Sequence, residues 1–216
     1  MLDTQNSAKN SKGQQTRTLL LEAALHQFAA RGYHGTSMRQ IAEAAGVAVG
    51  GIYNHFASKE ELLKAVILAY HPLTVVAPTL ATVHSDQVEV LIRHIAHGFH
   101  QVLQARPELL KLMLIELVEC KGEHLPDVIG ALYPQIITFV QRLQAANRQL
   151  RPLPPLVILR ALLSTLLGFF ITESLLAKNF AAFSDSGSVD QLVDILLHGL
   201  LRSEAGKQET GNRKRD

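Results

Sequence analysis

The sequence predicts an all-α protein, with an N-terminal domain of short helices followed by a C-terminal bundle of longer ones. Three observations predict this fold class. Apolar residues recur at helical spacing almost throughout the chain. No run of alternating β-branched residues is bounded by hairpin turns. Serine-led capping boxes, glycines and prolines also stand at intervals where helices of ordinary length would begin and end.

The first predicted helix covers about 16–30. Leu20 and Phe28 lie two turns apart on its apolar stripe. Gly32 follows at the place of a C-cap glycine. Residues 1–15 are polar, and we predict a disordered leader there.

Two short helical elements follow. Ser37 and Gln40 form a capping box that starts a second helix, which Gly46 ends after about two turns. A short segment at 49–55 comes next, and a second capping box at 58–61 opens a fourth helix. Short helices joined by a glycine-containing turn, with a stabilising helix on either side, have the plan of a helix-turn-helix. The N-terminal part is therefore predicted as a three-helix helix-turn-helix domain.

Pro72 and Pro78 mark the predicted domain junction. The predicted domains are 16–71 and 72–203, followed by a disordered polar tail at 204–216. The helices predicted in the second domain cover about 86–104, 107–119, a helix opened by Pro126 with a kink or restart at Pro134, 155–178 and 188–202.

Composition limits the function classes. The 216 residues are 47% hydrophobic and 19% charged, with a net charge of +2, which is typical of a globular protein. The longest apolar stretch, 156–177, contains Arg160 and Glu173. Each charge would cost about 2.5–3.5 kcal/mol at a bilayer centre, so we expect no membrane span and a cytoplasmic protein. No Ser-His-Asp, paired-carboxylate or phosphate-loop motif is present, so we expect neither an enzyme nor a cofactor.

Residues 17–68 resemble the N-terminal domain of the TetR family of bacterial repressors. The resemblance covers about a quarter of the chain and rests on many positions in fixed register: Leu20, Ala23, Ala24, Phe28, Gly32, Tyr33, Thr36, Ser37, Ile41, Ala42, Ala45, Gly46, Val47, Ile52, Tyr53, His55, Phe56, Ser58, Lys59, Glu60, Leu62 and Leu63. It implies a repressor that binds double-stranded DNA at a palindromic operator as a homodimer and is released by a small hydrophobic effector.

Two groups of alternatives remain open at this point. One is a regulator that works without an effector, is gated by a partner protein or activates transcription. The other is a helical ligand-binding or interaction module without sequence-specific DNA binding.

The resemblance assigns phosphate contacts to four residues whose side chains can donate hydrogen bonds: Thr36, Tyr53, His55 and Lys59. Ser37, beside Thr36, is included in the predicted interface. Base reading is less well specified, because no side chain from Ala48 through Gly51 forms hydrogen bonds. We expect Ala48 and Val49 to contact the methyl groups of thymine, and Gly50 and Gly51 to let the backbone approach the DNA closely. Polar readout of bases is expected from Asn54 and Arg39.

The two last long helices predict a dimer. The stretch 156–177 is apolar nearly all round its helix, which must then be covered on most faces. Helix-turn-helix proteins also gain affinity by pairing on half-sites about one DNA turn apart. The resemblance implies an interface of two helices from each protomer, for which the predicted contact residues are Leu159, Leu163, Leu167, Leu192, Leu196 and Leu200.

The effector site is implied by the resemblance, with the middle helices lining a pocket. The candidate residues, each of which also suits ordinary core packing, are Phe99, Leu103, Met113, Leu117, Tyr133, Ile137, Phe169 and Phe170. A lining of this kind suits a hydrophobic or aromatic small molecule.

Histidine and cysteine spacing permits sharper interpretations. His94, His97 and His100 form a stripe that suits a solvated face, a polar pocket wall or a metal sensor. Cys120 and His124, spaced by four, could chelate a metal or sense redox state, but Gly122 between them makes a continuous helix doubtful. The sequence therefore predicts no metal site.

Overall fold

The structure is a computed structural model, and the fold class is confirmed: within the described residues the chain is helical and contains no strand. The described residues are 2–78, 83, 85, 87–145, 150–176 and 188–200, with side chains described from residue 12 onward and up to residue 199. The predicted tail at 204–216 lies outside these residues.

Ten helices are described in these ranges. Their bounds are α1 Leu2–Arg31, α2 Met38–Ala44, α3 Val49–Ile52, α4 Lys59–Tyr70, α5 Pro72–Val76, α6 Val88–Ala105, α7 Glu108–Val118, α8 Leu125–Ala145, α9 Pro155–Leu176 and α10 Val189–Leu200. Pro134 lies inside α8, which continues through it without a restart.

The chain divides into two compact units. The head unit comprises Met1–Val75 and Leu103–Leu132, and the bundle unit comprises Val76–Val102 and Tyr133–Asp216. The sequence instead predicted a division at residue 72. The physical reason for the difference is that α7 packs against α1, which is a tertiary contact that local signals do not report.

The head unit has a closed apolar core. Phe28, Ile41, Ile52 and Phe56 are at most 1% exposed, and α1 packs against α2, α4 and α7. In the structure α1 begins at Leu2 and runs through the stretch for which the sequence predicts a disordered leader. Leucine, alanine, lysine and glutamine make up half of the residues in 2–15, and these residue types have good helix propensity.

Two of the predicted capping boxes form completely, and the one at Ser58 forms in part. The Ser37 hydroxyl accepts a hydrogen bond from the Gln40 backbone, and the Gln40 side chain accepts one from the Ser37 backbone. Ser188 and Gln191 form the same reciprocal pair at the start of α10. At α4 the Ser58 hydroxyl caps Glu61, whose carboxylate accepts from the backbone N–H one residue earlier, at Ala57.

In the bundle unit, α9 and α10 pack together. Their buried residues recur every four positions: Ile158, Leu162, Leu166 and Phe170 on α9, and Val189, Val193 and Leu197 on α10. On the polar side of α6, the Arg93 guanidinium pairs with the carboxylates of Glu89, Asp190 and Asp194.

Helix α9 is long and apolar enough to cross a membrane by length and composition alone, with a mean hydropathy of 1.9 over its best window. Core helices of soluble proteins also meet this criterion, although only 22% of the window is buried here. The described structure therefore leaves most of α9 uncovered.

Candidate nucleic-acid interface

A short exposed helix, α3, is held on a buried scaffold. The Val47 N–H donates to the Ala42 carbonyl at 2.9 Å and closes the turn after α2. The Ile52 side chain points into the core, whereas Ala48, Val49 and Gly50 are exposed. One side of this four-residue helix thus anchors it, and the other presents a surface of small side chains.

The residues after α3 continue the exposed surface. Tyr53 is 54% exposed, Asn54 is exposed and His55 is half-buried. Backbone bonds from Asn54 to Gly51 and from His55 to Ile52 fix their positions, at 3.2 and 3.0 Å. The phenol of Tyr53 and the amide of Asn54 therefore face solvent beside the small side chains of α3. We call Ala48–Gly50, Tyr53 and Asn54 the α3 face.

Thr36 has a different place from the one that the resemblance implies. It is 3% exposed, and its hydroxyl lies 2.8 Å from the Gly32 carbonyl and 3.1 Å from the Gln27 carbonyl. A hydroxyl has one proton to donate, and these carbonyls at the end of α1 receive it. The side chain of Thr36 consequently holds the turn after α1, and in this structure its hydroxyl is engaged by these carbonyls.

Lys59 also holds this turn. Its ammonium donates to the carbonyls of Tyr33 at 2.8 Å and Thr36 at 2.9 Å, and lies 4.2 Å from the centre of the Tyr33 ring. An ammonium group has three protons, so one is left over. The positive charge is therefore placed at the first turn of α4, where the helix dipole also favours an anion.

Two polar candidates lie at the start of α2. Arg39 is exposed and pairs with Glu43 one turn later, its Nε lying 2.8 Å from the Glu43 carboxylate. Exposed ion pairs of this kind are weak, so Arg39 can exchange its partner at small cost. The Ser37 hydroxyl is exposed but belongs to the capping box. Gly51 is half-buried, with Val47 3.1 Å from where a Cβ would stand.

One basic residue of α1 lies near this surface. The Arg17 guanidinium lies 5.0 Å from the centre of the Phe56 ring, which puts a cation on α1 beside the end of the α3 segment. No local signal predicts this contact, because the two residues are 39 positions apart in the sequence.

The eight candidate effector residues fall in both units. Leu103, Met113 and Leu117 belong to the head unit. In the bundle unit, Phe99 and Phe170 are buried, Phe169 contacts Phe170 with ring centres 5.3 Å apart, and Tyr133 and Ile137 are exposed.

Of the predicted dimer contacts, five are half-buried: Leu159, Leu163, Leu167, Leu192 and Leu196. The Leu200 side chain lies outside the described residues.

The predicted histidine stripe has several environments. The His97 imidazole lies 2.8 Å from the Asp190 carboxylate, while His100 stacks on Phe170 with ring centres 5.9 Å apart. Both neighbours come from α9 or α10. The stripe is therefore part of the packing between helices of the bundle unit.

The turn between α7 and α8 brings together residues that Gly122 was expected to separate. The ligand atoms of Cys120, His124 and Glu116 all lie within 4.8 Å of one another. Burial, and then the carboxylates of Glu116 and its neighbours, raise the pKa of the Cys120 thiol to about 11. A redox-sensing thiol needs a lowered pKa, so this environment does not suit one.

Comparison with known proteins identifies the head. The family model "Bacterial regulatory proteins, tetR family" matches residues 20–66. The HTH-type transcriptional regulator UidR of Escherichia coli K12 is 41% identical over 58 residues, which are 27% of this chain and 30% of that protein. The HTH-type transcriptional repressor KstR2 of Mycobacterium tuberculosis H37Rv is 45% identical over 51 residues, or 24% of this chain and 26% of that one. The chain thus matches under a third of the length of these curated relatives.

Solved structures show the same fold over most of the chain. A TetR family transcription regulator from Marinobacter aquaeolei VT8 has a TM-score of 0.70 and 16% identity, with 91% of this chain and all of that chain covered. The transcriptional regulator FadR from Bacillus subtilis, in complex with stearoyl-CoA, has a TM-score of 0.68 and 16% identity, with 84% and 98% covered.

Proposed function

We propose that this chain, whose residues 20–66 match the family model of bacterial tetR regulatory proteins, is a transcriptional repressor that binds a palindromic operator as a homodimer. The observation that carries the proposal is the α3 face, in which small residues, a phenol and an amide are exposed on a fully buried scaffold. KstR2, to which this head is similar, is itself a repressor.

In this proposal, α3 enters the major groove. Nothing lies within 4 Å of where a Cβ would stand at Gly50, so the backbone there is open to a partner. Val49 is 39% exposed and can contact a thymine methyl group. The Asn54 amide can bond adenine in two places, which contributes about 1–3 kcal/mol of discrimination. Arg39 becomes a second reader after leaving Glu43.

The DNA backbone is held at the edges of this face. The exposed Tyr53 hydroxyl, the His55 imidazole and the remaining Lys59 proton are the proposed phosphate donors. Thr36 supports them through the carbonyl network of the turn, since Lys59 binds the Thr36 carbonyl. Because phosphate contacts carry no sequence information, these donors fix the position of the head, and the rest of the α3 face, Ala48–Gly50 and Asn54, has to supply specificity.

A second copy of the chain covers α9 and α10 in the proposed dimer. Leu156, Leu175 and Ile195 are 66%, 60% and 74% exposed on these helices. The half-buried leucines predicted as dimer contacts lie between this exposed surface and the buried stripe. An exposed apolar surface of this extent is typical of an interface, and a two-fold dimer would present two heads to a palindrome.

The proposed effector binds in the bundle unit. Two buried side-chain polar atoms there, His100 Nδ1 and Gln135 Oε1, have no hydrogen-bond partner among the described residues. A buried polar atom without a partner is costly, so a ligand that forms a hydrogen bond with it gains affinity, and the Gln135 oxygen would accept from a donor. Phe99 and Phe170 supply apolar contacts, and the FadR complex contains stearoyl-CoA, whose acyl chain is also apolar. We expect a mostly apolar molecule with a hydrogen-bond donor.

The test of this function is selection of DNA from a randomised library by the purified chain, followed by titration at fixed salt. We expect a palindrome that binds two chains, at least about 10³-fold more tightly than random DNA. Equal affinity for both DNAs, or one chain per duplex, would contradict the proposal.

The effector site has its own test. An effector that releases the wild type from DNA should fail to release the His100→Phe variant, which keeps the ring stack on Phe170 but removes the ring nitrogens of His100.

A further inference from the structure

The turn between α7 and α8 gathers three metal-ligating side chains. Glu116 lies in the last turn of α7, Cys120 just beyond its end and His124 just before α8. Gly122, at a φ of +77°, reverses the chain, and its N–H donates to the Glu116 carbonyl at 2.9 Å. The reversal returns His124 to Glu116, so that all three ligand atoms lie within 4.8 Å of one another.

We propose that Glu116, Cys120 and His124 bind a divalent first-row transition ion, with Zn²⁺ as the best fit. A thiolate, an imidazole and a carboxylate form a mixed donor set that Zn²⁺ accepts, whereas Mg²⁺ and Ca²⁺ prefer oxygen ligands alone. Ligand atoms around a tetrahedral Zn²⁺ are roughly 3.3–3.8 Å apart, given its usual bond lengths. The longest separations in the cluster therefore have to shorten by up to about 1 Å, whereas Glu116 Oε2 and His124 Nδ1, now 2.8 Å apart, have to move slightly apart. A water takes the fourth position.

The burial of the cluster favours a cation. Glu116 and His124 are 2% and 5% exposed. One Glu116 oxygen accepts from the His124 backbone N–H at 2.7 Å, and the other lies 2.8 Å from His124 Nδ1. The charges that act on the Cys120 thiol are all carboxylates, from Glu116, Glu119 and Glu123. A divalent cation held by the three side chains would offset this negative charge.

The site lies against the turn that carries the DNA-binding anchors. Glu119, beside Cys120, accepts a hydrogen bond from the His34 backbone N–H at 3.1 Å. Its other oxygen would lie only 2.8 Å from a Cβ atom added at Gly32, so the carboxylate packs directly against this glycine. Lys59 binds the same turn through the Tyr33 carbonyl. In this proposal, a bound metal ion changes the position or the mobility of the Glu119 side chain. Because Glu119 bonds to the same turn as Lys59, the change reaches the residues that contact DNA. This second step rests on the proposed function, whereas the metal site does not.

The test of the site uses the full-length, metal-free protein. Zn²⁺ is titrated against a chromophoric chelator, and Co²⁺ is used as a probe because thiolate-to-cobalt charge transfer gives an absorption band. We expect one ion per chain, a thiolate band, and Zn²⁺ affinity at least about tenfold lower in Cys120→Ser and in His124→Asn. The matched control is His26→Gln, which removes an exposed histidine from the same unit and leaves affinity unchanged. Circular dichroism of each metal-free variant establishes that it is folded.

Equal Zn²⁺ affinity in folded Cys120→Ser and wild-type protein, or a Co²⁺ complex without the thiolate band, would overturn the site. A separate titration with operator DNA tests the coupling. Zn²⁺ should change the operator affinity of the wild type and not that of Cys120→Ser, and by reciprocity DNA should change the Zn²⁺ affinity. Metal binding with unchanged operator affinity would overturn the coupling alone. Metal binding without any DNA binding would overturn the proposed function and leave the site standing.

Discussion

The DNA-binding segment of the head unit, α2 to α4, and helices α9 and α10 of the bundle unit differ in how many large apolar side chains a single chain leaves exposed. In the head, Phe28 and Phe56 are at most 1% exposed, and the inward polar groups of Thr36 and Lys59 bond to backbone carbonyls. In the bundle unit, α9 and α10 leave large apolar side chains such as Leu156 and Ile195 mostly exposed.

This difference means that the two units depend on different contacts for their final structure. The head obtains its shape from contacts within one chain, so its DNA-facing residues are fixed before any partner arrives. The bundle unit buries one stripe of each helix, through Leu162 and Val193 for example, and leaves the rest for another surface. We therefore expect mutations in the head to change stability or DNA contacts, and mutations on the exposed side of the bundle unit to change assembly.

The largest expected effect is loss of the head core. Phe56→Ala should lower the free energy of unfolding by about 3–5 kcal/mol, because it removes a fully buried ring. Tyr53→Ala, three residues earlier but 54% exposed, should lower it by less than about 0.5 kcal/mol. Urea unfolding followed by circular dichroism measures both. Similar losses in the two variants would show that the head is not closed as described.

The next largest effect concerns assembly. Ile195→Lys should raise the dimer dissociation constant roughly a hundredfold or more, because it places an unpaired charge in the proposed interface. The monomer should tolerate it, since Ile195 is 74% exposed. Val90→Lys, an exposed apolar position on α6, is the control. Sedimentation velocity that shows an unchanged dimer in Ile195→Lys would exclude this part of α10 from the interface.

A smaller effect decides the role of Thr36. Thr36→Val keeps the shape but loses the buried hydroxyl bonds, so we expect a loss of about 1–2 kcal/mol in stability. Thr18→Val is the matched control, since the Thr18 hydroxyl makes the same kind of bond to Gln14 on the exposed side of α1. If Thr36→Val instead kept its stability and bound DNA more weakly, Thr36 would be a phosphate contact after all.

The smallest effect is expected at Tyr53. Tyr53→Phe removes one exposed hydroxyl, so DNA affinity should fall about 3–10-fold, equally for operator and random DNA, with unchanged stability. Tyr133→Phe removes an equally exposed hydroxyl from the bundle unit and should change neither quantity. Fluorescence anisotropy measures the affinities. A loss confined to operator DNA would make Tyr53 a base reader.

The sequence predicted local features well because their signals are local. The capping box of Ser37 and Gln40 and the C-cap position of Gly32 each depend on residues within one or two turns. Tertiary features were not predictable in this way. Thr36 turns inward because carbonyls at the end of α1 come within reach. Glu116 joins Cys120 and His124 because the chain reverses at Gly122, the residue that made a continuous helix between the cysteine and the histidine doubtful.

The central claim is that Ala48–Gly50 and Asn54 of the α3 face read bases, while Tyr53, His55 and Lys59 hold phosphates. The most direct test is the affinity of Asn54→Ala for operator and random DNA at the same salt concentration, relative to wild type. The account predicts an operator affinity about 5–100-fold lower, from the loss of a two-point contact with a base, and an unchanged affinity for random DNA. An equal loss on both DNAs, or no loss on either, would contradict it.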